Sequence, residues 1–391
     1  MTNSNHPRVL IFPMDLAAHY LRCIELSKRL HDAEIIFADS PKYRAYIEEA
    51  GYPVFEVENF DADEVIRCAN EFKFDWMRPS TLDMVFDSQL EAIREYEPDA
   101  VIGDTAFTLR MAAEATGTRF VSLVNSYMTK YYRDARSVPR KHPGYKYSKM
   151  MPRRVFEGVS REIEQMSLIQ IHEPFRRIRD RLGMRSTRYL LDELEGDLNL
   201  VCDLPELFPL KNQPQNYEYV GPLFYSKREN EEEAFSFLGE EAPRILVTAG
   251  STGNGEYFRV LEDPIFEGYR ILATGGASRF LHGSNVYSKA FLNHCAVLPR
   301  IDVVICHGGN GTIYQALSFG VPVICFPSNF EQEWNSSQIK KMGYGEHADD
   351  DLTPSGLKEM IGLWMEKKGS QLFSEAKKSI EFYSKKPIKI F

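Results

Sequence analysis

Three stretches of this chain carry residue types and spacings that can do chemistry. The first is His307-Gly308-Gly309-Asn310-Gly311-Thr312, which follows the apolar run Val303-Val304-Ile305-Cys306 and precedes Ile313, Ala316 and Leu317 at helical spacing. A glycine loop feeding a helix start presents unpaired backbone N–H groups, and the helix dipole adds partial positive charge; both favour a phosphate. His307 can donate to a phosphate oxygen, and Thr312 can cap the helix or add a hydroxyl donor. The second stretch is Gly250-Ser251-Thr252-Gly253-Asn254-Gly255, a glycine-rich turn of the kind that forms an anion-binding nest. The third is a pair: His19 in the turn after the apolar run 8–12, and Asp104 at the end of the run 100–103. A strand-end His and a strand-end Asp can meet at one edge of a parallel sheet, where ligands bind. Each feature alone also has a plain structural reading: a connecting turn, a structural histidine, a helix cap.

The elements that must position these residues alternate along the chain. Strand-like runs at 8–12, 34–38 and 51–57 are separated by a helical stripe of Leu21, Ile24, Leu26 and Leu30 and by a second helix over 41–50. An amphipathic helix at 82–96, the strand 100–103, a helix at 108–115 and the strand 120–124 follow, then helices over 161–182 and a strand at 198–201. The later half repeats the pattern, with strands at 244–248, 270–274 and 321–326 and helices at 357–367 and 372–383. Strands alternating with helices predict parallel sheets in an α/β protein. With 391 residues the chain suits two domains. The acidic, polar stretch 226–241 reads as the linker between them.

Composition narrows the class. Hydrophobic content of 43% and charged content of 26% describe an ordinary globular protein. The net charge of −9 argues against general nucleic-acid binding. Six scattered cysteines, with no CxxC, read as reduced core residues in a cytoplasmic protein and not as a zinc site. No run reaches membrane-spanning length. Against the acidic background, Lys130, Arg133, Arg136, Arg140, Lys141, Lys146, Lys149, Arg153 and Arg154 face only Asp134, with Tyr131, Tyr132, Tyr145 and Tyr147 interleaved. The segment 130–154 reads either as a solvated, mobile surface loop or as a wall for an anionic or membrane-bound acceptor.

The stretch 302–345 resembles the donor-binding signature of the GT-B nucleotide-sugar glycosyltransferases of family 1 type, which include the UDP-glycosyltransferases and the bacterial antibiotic and macrolide glycosyltransferases. The matching residues are His307-Gly308-Gly309, Gly311-Thr312, Ala316-Leu317, Gly320-Val321-Pro322, Pro327, Glu331-Gln332, Asn335 and Gly343. Ala18-His19-Tyr20-Leu21-Arg22 resembles the family's Gly-His-x-x-Pro motif, with Ala18 at the Gly and Arg22 at the Pro; Arg22 there is expected to close off part of an apolar pocket. The segment around Asp104 resembles the one carrying the Asp that orients the catalytic His, and 217–223 resembles the last strand of the first domain. Gly250 and Ser251 match the loop that approaches the donor phosphates. Phe291 stands where an aromatic stacks on the base, with Asn293-His294 in place of the usual Pro-Gln. Gln315 takes the place of a Glu that contacts the ribose in plant members.

The resemblance implies two Rossmann-like parallel-sheet domains facing across a cleft: 1–225 for the acceptor, the linker 226–241, 242–378 for the nucleotide-sugar donor, and a tail 379–391 returning toward the first domain. It implies an inverting transfer of a sugar from a UDP-sugar, or else a dTDP-sugar, to a hydroxyl of a small-molecule or lipid-like acceptor, itself an anionic one if the basic segment forms its wall. His19 is the implied general base and Asp104 its partner. Gly250, Ser251, Phe291, His307, Gly308, Gly309, Asn310, Gly311 and Thr312 are the implied donor contacts, with Glu331 and Gln332 on the sugar hydroxyls. No metal and no cofactor are expected, the nucleotide sugar being a co-substrate; no Asp-x-Asp motif appears. Two alternatives stand beside this: a nucleotide-sugar epimerase of the same architecture, and a non-catalytic partner subunit.

Overall fold

Alternation along Arg8–Pro13 (β1) sends Val9 and Ile11 to one face of a sheet and Leu10 and Phe12 to the other, and both faces are covered by buried apolar clusters. The structure is a computed structural model and describes residues 6–225, 231–239, 241–250, 253, 255–349 and 351–391. The chain divides into two compact units. The first comprises Met1–Val138, Pro143–Leu223 and Ser384–Phe391; the second comprises Pro139–His142 and Phe224–Tyr383.

In the first unit, β1 is joined by β2 (Glu34–Ala38), β3 (Val54–Phe55), β4 (Ala100–Asp104), β5 (Arg119–Val124), β6 (Leu198–Val201) and β7 (Tyr217–Tyr219). Their order is β3-β2-β1-β4-β5-β6-β7, and every pairing is parallel. The order reverses between β1 and β4, so the chain ends of these two strands open a crevice, the place where such sheets bind ligands. The returning C-terminal residues Ile388 and Ile390 bury themselves in the cluster that contains Val9 and Ile11.

The second unit is a smaller version of the same plan. β8 (Arg244–Thr248), β9 (Arg270–Thr274), β10 (Val286–Lys289), β11 (Val303–Cys306), β12 (Val323–Cys325) and β13 (Gly345–His347) run parallel in the order β10-β9-β8-β11-β12-β13. Its reversal lies between β8 and β11.

Four segments gain local detail. The buried stripe of the first helix is wider than expected: Ile24, Leu26 and, just after it, Leu30 are buried as predicted, Leu21 is only half-buried, and Tyr20, Arg22, Cys23 and Ser27 join the buried face. A helix at Ala62–Asn70 was hidden by its polar surface, although Asp61 caps it through Asp63 N and Glu64 N. In the expected linker 226–241, residues 226–230 and 240 lie outside the described residues, while Glu232–Leu238 is a helix that buries Ala234 and Leu238. The basic segment is no single loop. Pro143–Lys149 is a 3₁₀ turn, Arg153 and Arg154 open the helix Arg153–Ile171, and residues 139–142 pack in the second unit. There Arg140 pairs with Asp349, and Lys141 donates to the Pro327 carbonyl at 2.8 Å and lies 3.7 Å over the Tyr257 ring.

Candidate active site

The crevice of the first sheet is built from four strand ends. Pro13 of β1 is in register with Asp104, the last residue of β4, and Met14 N–H donates to the Asp104 carbonyl at 3.0 Å. The helix Ala17–Ser27 then carries His19 and, one turn on, Arg22, which therefore share a face. Beyond β5 comes Asn125, and beyond β6 Asp203. Thr105, directly after Asp104, holds a positive φ of 56°, a conformation non-glycine residues rarely adopt, which turns the chain sharply at the strand end.

Asp104 is fully buried, and all its partners come from this crevice. His19 Nδ1 lies 2.9 Å from its Oδ1. The Arg22 guanidinium grips both carboxylate oxygens through Nε and Nη2. Thr105 Oγ1 adds a contact at 3.2 Å and Cys23 Sγ one at 3.7 Å. Arg22 Nη1 also donates to Asn125 Oδ1 at 2.8 Å, and Asn125 Nδ2 donates to the buried Asp203 at 3.1 Å. Asp203 in turn accepts from Ser126 N–H at 2.7 Å. Burial by itself raises the Asp104 carboxyl, but the adjacent Arg22 cation and then His19 overcome it and hold the carboxyl well below the ordinary carboxylate range. An ionised carboxylate only accepts hydrogen bonds. The contact with His19 therefore takes a proton on Nδ1, which Arg22 Nη2 also approaches at 3.2 Å, and Nε2 is the ring nitrogen left for another partner.

Sequence reasoning named His19 and Asp104, and the structure brings them together. It missed the role of Arg22, whose side chain turns inward to Asp104 instead of closing an apolar pocket. It also missed Asn125 and Asp203. The signal was available: each follows an apolar strand run, as Asp104 does, and Arg22 stands three residues after His19. Beside this crevice the first unit holds a cavity of about 460 Å³, lined by Asp15, Asn59, Phe60, Trp76, Thr81 and Met84 among others. The Oδ1 atom of Asp15 is buried there without a hydrogen-bond partner.

The crevice of the second sheet receives the turn after β8 and the loop after β11. Its glycines serve the protein's own packing first. A Cβ at Gly250 would lie 2.5 Å from His307 Cε1, one at Gly253 2.5 Å from His307 Cβ, and one at Gly309 2.3 Å from His307 Nε2. The three glycines thus form a cradle for the imidazole. Gly308, at φ +88°, leaves room for Ser336 Oγ and accepts from Asn335 Nδ2 at 3.0 Å. Gly311 alone in this loop borders open space. The helix Asn310–Ser318 starts with Gly309 as its N-cap and no side-chain cap, so the expected capping by Thr312 is not found.

His307 is buried, and its Nδ1 has no hydrogen-bond partner; neither does Asn335 Oδ1. Burial, only partly offset by the Thr248 backbone, pushes the His307 pKa down to about 4, so at neutral pH it is an uncharged ring. Buried polar atoms without partners mark a place where a polar ligand completes the structure.

The remaining predicted residues have mixed placements. Ser251 lies outside the described residues. Phe291 is 42% exposed. Glu331 is exposed in the first turn of the helix Phe330–Met342, whereas Gln332 is buried and its Oε1 accepts from Ser328 N–H and Oγ, both at 2.8 Å. Gln315 uses its amide internally: Oε1 lies 2.9 Å from His294 Nδ1, and Nε2 donates to the Tyr225 carbonyl at 3.0 Å. Among the described residues no group of three or more His, Cys, Asp or Glu is placed to hold a metal ion, and no helix is long and apolar enough to cross a membrane.

Comparison with known proteins agrees with this geometry. Residues 244–389 match the glycosyltransferase family 28 C-terminal domain. A PGL/p-HBAD biosynthesis glycosyltransferase of Mycobacterium tuberculosis is 27% identical over 338 residues, covering 84% of this chain and 77% of the relative. A PGL/p-HBAD biosynthesis rhamnosyltransferase of Mycobacterium bovis is 27% identical over 336 residues, covering 84% and 73%. Among solved structures, the spinosyn rhamnosyltransferase SpnG complexed with thymidine diphosphate superposes with a TM-score of 0.65 at 17% identity, covering 96% of each chain.

Proposed function

We propose that the chain, a glycosyltransferase with the GT-B fold that resembles those of family 1 type, transfers a sugar, with inversion, from a nucleoside-diphosphate sugar to a hydroxyl of a small-molecule or lipid-like acceptor. The observation that carries the reading is the 2.9 Å contact between His19 Nδ1 and the buried, ionised Asp104. In the proposed step His19 Nε2 takes the acceptor's hydroxyl proton as that oxygen bonds to the anomeric carbon. The bond to the diphosphate breaks on the opposite face, and the diphosphate leaves with the electron pair. Asp104 stabilises the imidazolium that forms and keeps the ring oriented. The acceptor's body occupies the cavity beside Asp15.

The donor diphosphate sits against His307, the N–H groups that open the helix Asn310–Ser318, and Gly250 and Ser251, which stabilise charge developing on the leaving group. Gly308 and Gly309 shape that loop, and Asn310, Gly311 and Thr312 border the phosphates. Phe291 stacks on the base, and Glu331 and Gln332 meet the sugar hydroxyls. The relatives support a deoxyhexose such as rhamnose as the transferred group. The thymidine diphosphate bound to SpnG puts dTDP beside UDP as the nucleotide. With both ends of the Gln315 amide occupied, ribose recognition falls to other groups.

The test is transfer from dTDP- and UDP-sugars to an acceptor panel, with product anomer read by NMR. His19→Ala is expected to lower kcat by about 10²–10⁴-fold while nucleotide affinity stays near that of the wild type. A retained anomeric configuration, epimerised free donor as the main product, or wild-type turnover in the His19 variant would each overturn the reading.

A further inference from the structure

The helix Arg153–Ile171 has nineteen residues, and none of them is buried. Its residues Phe156, Ser160, Glu164, Ser167, Leu168 and Ile171 are half-buried against the body of the first unit. The opposite face is apolar and open. Val155, Val159, Ile163, Met166 and Ile169 recur at spacings of four, four, three and three, and Ile163 and Met166 are 58% and 69% exposed. Met150, just before the helix, is 74% exposed. A stripe of this length on an amphipathic helix is a docking surface and not scattered surface apolarity.

The charges around the stripe identify its partner. Between residues 135 and 156 the chain has seven Lys and Arg and no Asp or Glu. The structure divides that excess. Lys130, Arg136 and Arg140 are paired with carboxylates, and Lys141 packs on the second unit. Arg153 pairs with Glu157 at 2.7 Å, and Glu164 is taken by Arg136 at 3.0 Å. What remains exposed and without an ion pair beside the stripe, among the described residues, is Lys146, Lys149, Arg154 and Arg161 against the single carboxylate Glu162.

We propose that the helix Arg153–Ile171, with the basic turn before it, docks this enzyme on an anionic lipid surface, lying in the interface with its apolar stripe among the acyl chains and its cations among the headgroups. Apolar burial supplies the area and the cations supply attraction to the negative surface. The rest of a chain with a net charge of −9 is repelled by the same surface, which favours approach by this patch. A second copy of the chain is a poorer partner, because self-association sets the same four cations against one another. Glu162, on the exposed face, weakens the contact.

The experiment is vesicle co-sedimentation of the full chain at low and high salt. The vesicles are either phosphatidylcholine alone or phosphatidylcholine with about one third phosphatidylglycerol, and light scattering gives the oligomeric state. The expected result is binding to the anionic vesicles that falls with salt. Ile163→Glu with Met166→Glu abolishes it, Lys149→Gln with Arg154→Gln weakens it on the order of tenfold or more, and Glu162→Gln strengthens it. These positions are exposed, so unchanged circular dichroism is expected and confirms folded variants. Absence of binding, equal binding to both vesicle types, binding indifferent to the substitutions, or a dimer that the stripe substitutions dissolve would each overturn the proposal.

Discussion

The two sheets place their sites at the same topological position and fill them in opposite ways. At the reversal between β1 and β4, the charges of one network satisfy each other: Asp104 is claimed by His19, Arg22, Thr105 and Cys23, and Arg22 is claimed by Asp104 and Asn125. At the reversal between β8 and β11, glycines hold open a cradle, and two buried polar atoms, His307 Nδ1 and Asn335 Oδ1, have no partner. A saturated network costs stability when one member is removed, because the others stay buried. An unsaturated one loses affinity for what completes it. The first arrangement suits a proton acceptor that must hold one orientation, and the second suits a ligand that arrives and leaves.

The sharpest way to break this contrast is Asp104→Asn. It preserves shape, but it leaves the Arg22 guanidinium buried without a counter-charge, so unfolding free energy is expected to fall by about 3–5 kcal/mol. Urea denaturation measures this, and adding Arg22→Met should restore much of the loss by removing the orphaned cation. The same network gives an acid limb. Asp104 titrates below its ordinary range, and in the same unit Glu193, raised by burial but pulled down to about 2 chiefly by hydrogen bonds from His172 and Arg179, behaves alike. A depressed folded-state pKa contributes stability that is complete above the ordinary carboxylate range and is lost as pH falls through the folded value. Stability flat from pH 5 to 2 would show that these carboxylates are not the groups the fold holds ionised.

The second unit should respond differently. Gly309→Ala puts a methyl 2.3 Å from His307 Nε2 and forces the imidazole out of its cradle. We expect little change in the first unit's unfolding but a loss of nucleoside-diphosphate affinity of about 1–3 kcal/mol, the cost of an unmade hydrogen bond at a buried group. Calorimetry with dTDP and UDP reads it. Affinity equal to the wild type would remove His307 from the ligand's partners.

Much of this was legible from residue types because both candidate sites obey one rule: the candidate groups follow apolar strand runs in a parallel sheet. Val303–Cys306 before His307 and Ala100–Asp104 announced themselves in that way. What stayed hidden depended on rotation and partners. Arg22 reads as a surface or pocket cation until the first helix is known to bury Tyr20, Cys23 and Ser27, which turns Arg22 toward Asp104. Glycines at 250, 253 and 309 read as space for a ligand, and only packing shows that the His307 ring takes that space. The basic segment looked uniform in composition, yet five of its cations, Lys130, Arg133, Arg136, Arg140 and Arg153, already have carboxylate partners, some next in sequence and some far away.

The smallest expected effect sharpens the contrast most finely. Burial holds the His307 pKa at about 4, so its ring is neutral across the physiological range and the hydrogen bond proposed to a diphosphate carries no charge of its own. A bound dianion pulls the other way, since it favours an imidazolium beside it. The affinity ratio between wild type and His307→Asn separates the two forces, because the ligand's own ionisation cancels in the ratio. If burial wins, the ratio stays constant between pH 8 and 6. If the ligand wins, the ratio grows as pH falls through that interval, with a proton taken up on binding that calorimetry in buffers of different ionisation enthalpy detects. Stability of the unliganded protein gives the independent reference. A histidine with a lowered folded-state pKa supports the fold fully above its unfolded value near 6.5 and loses that support as pH falls toward about 4. We expect the flat ratio, since the three glycines seat the ring too deeply for water to help it carry a charge.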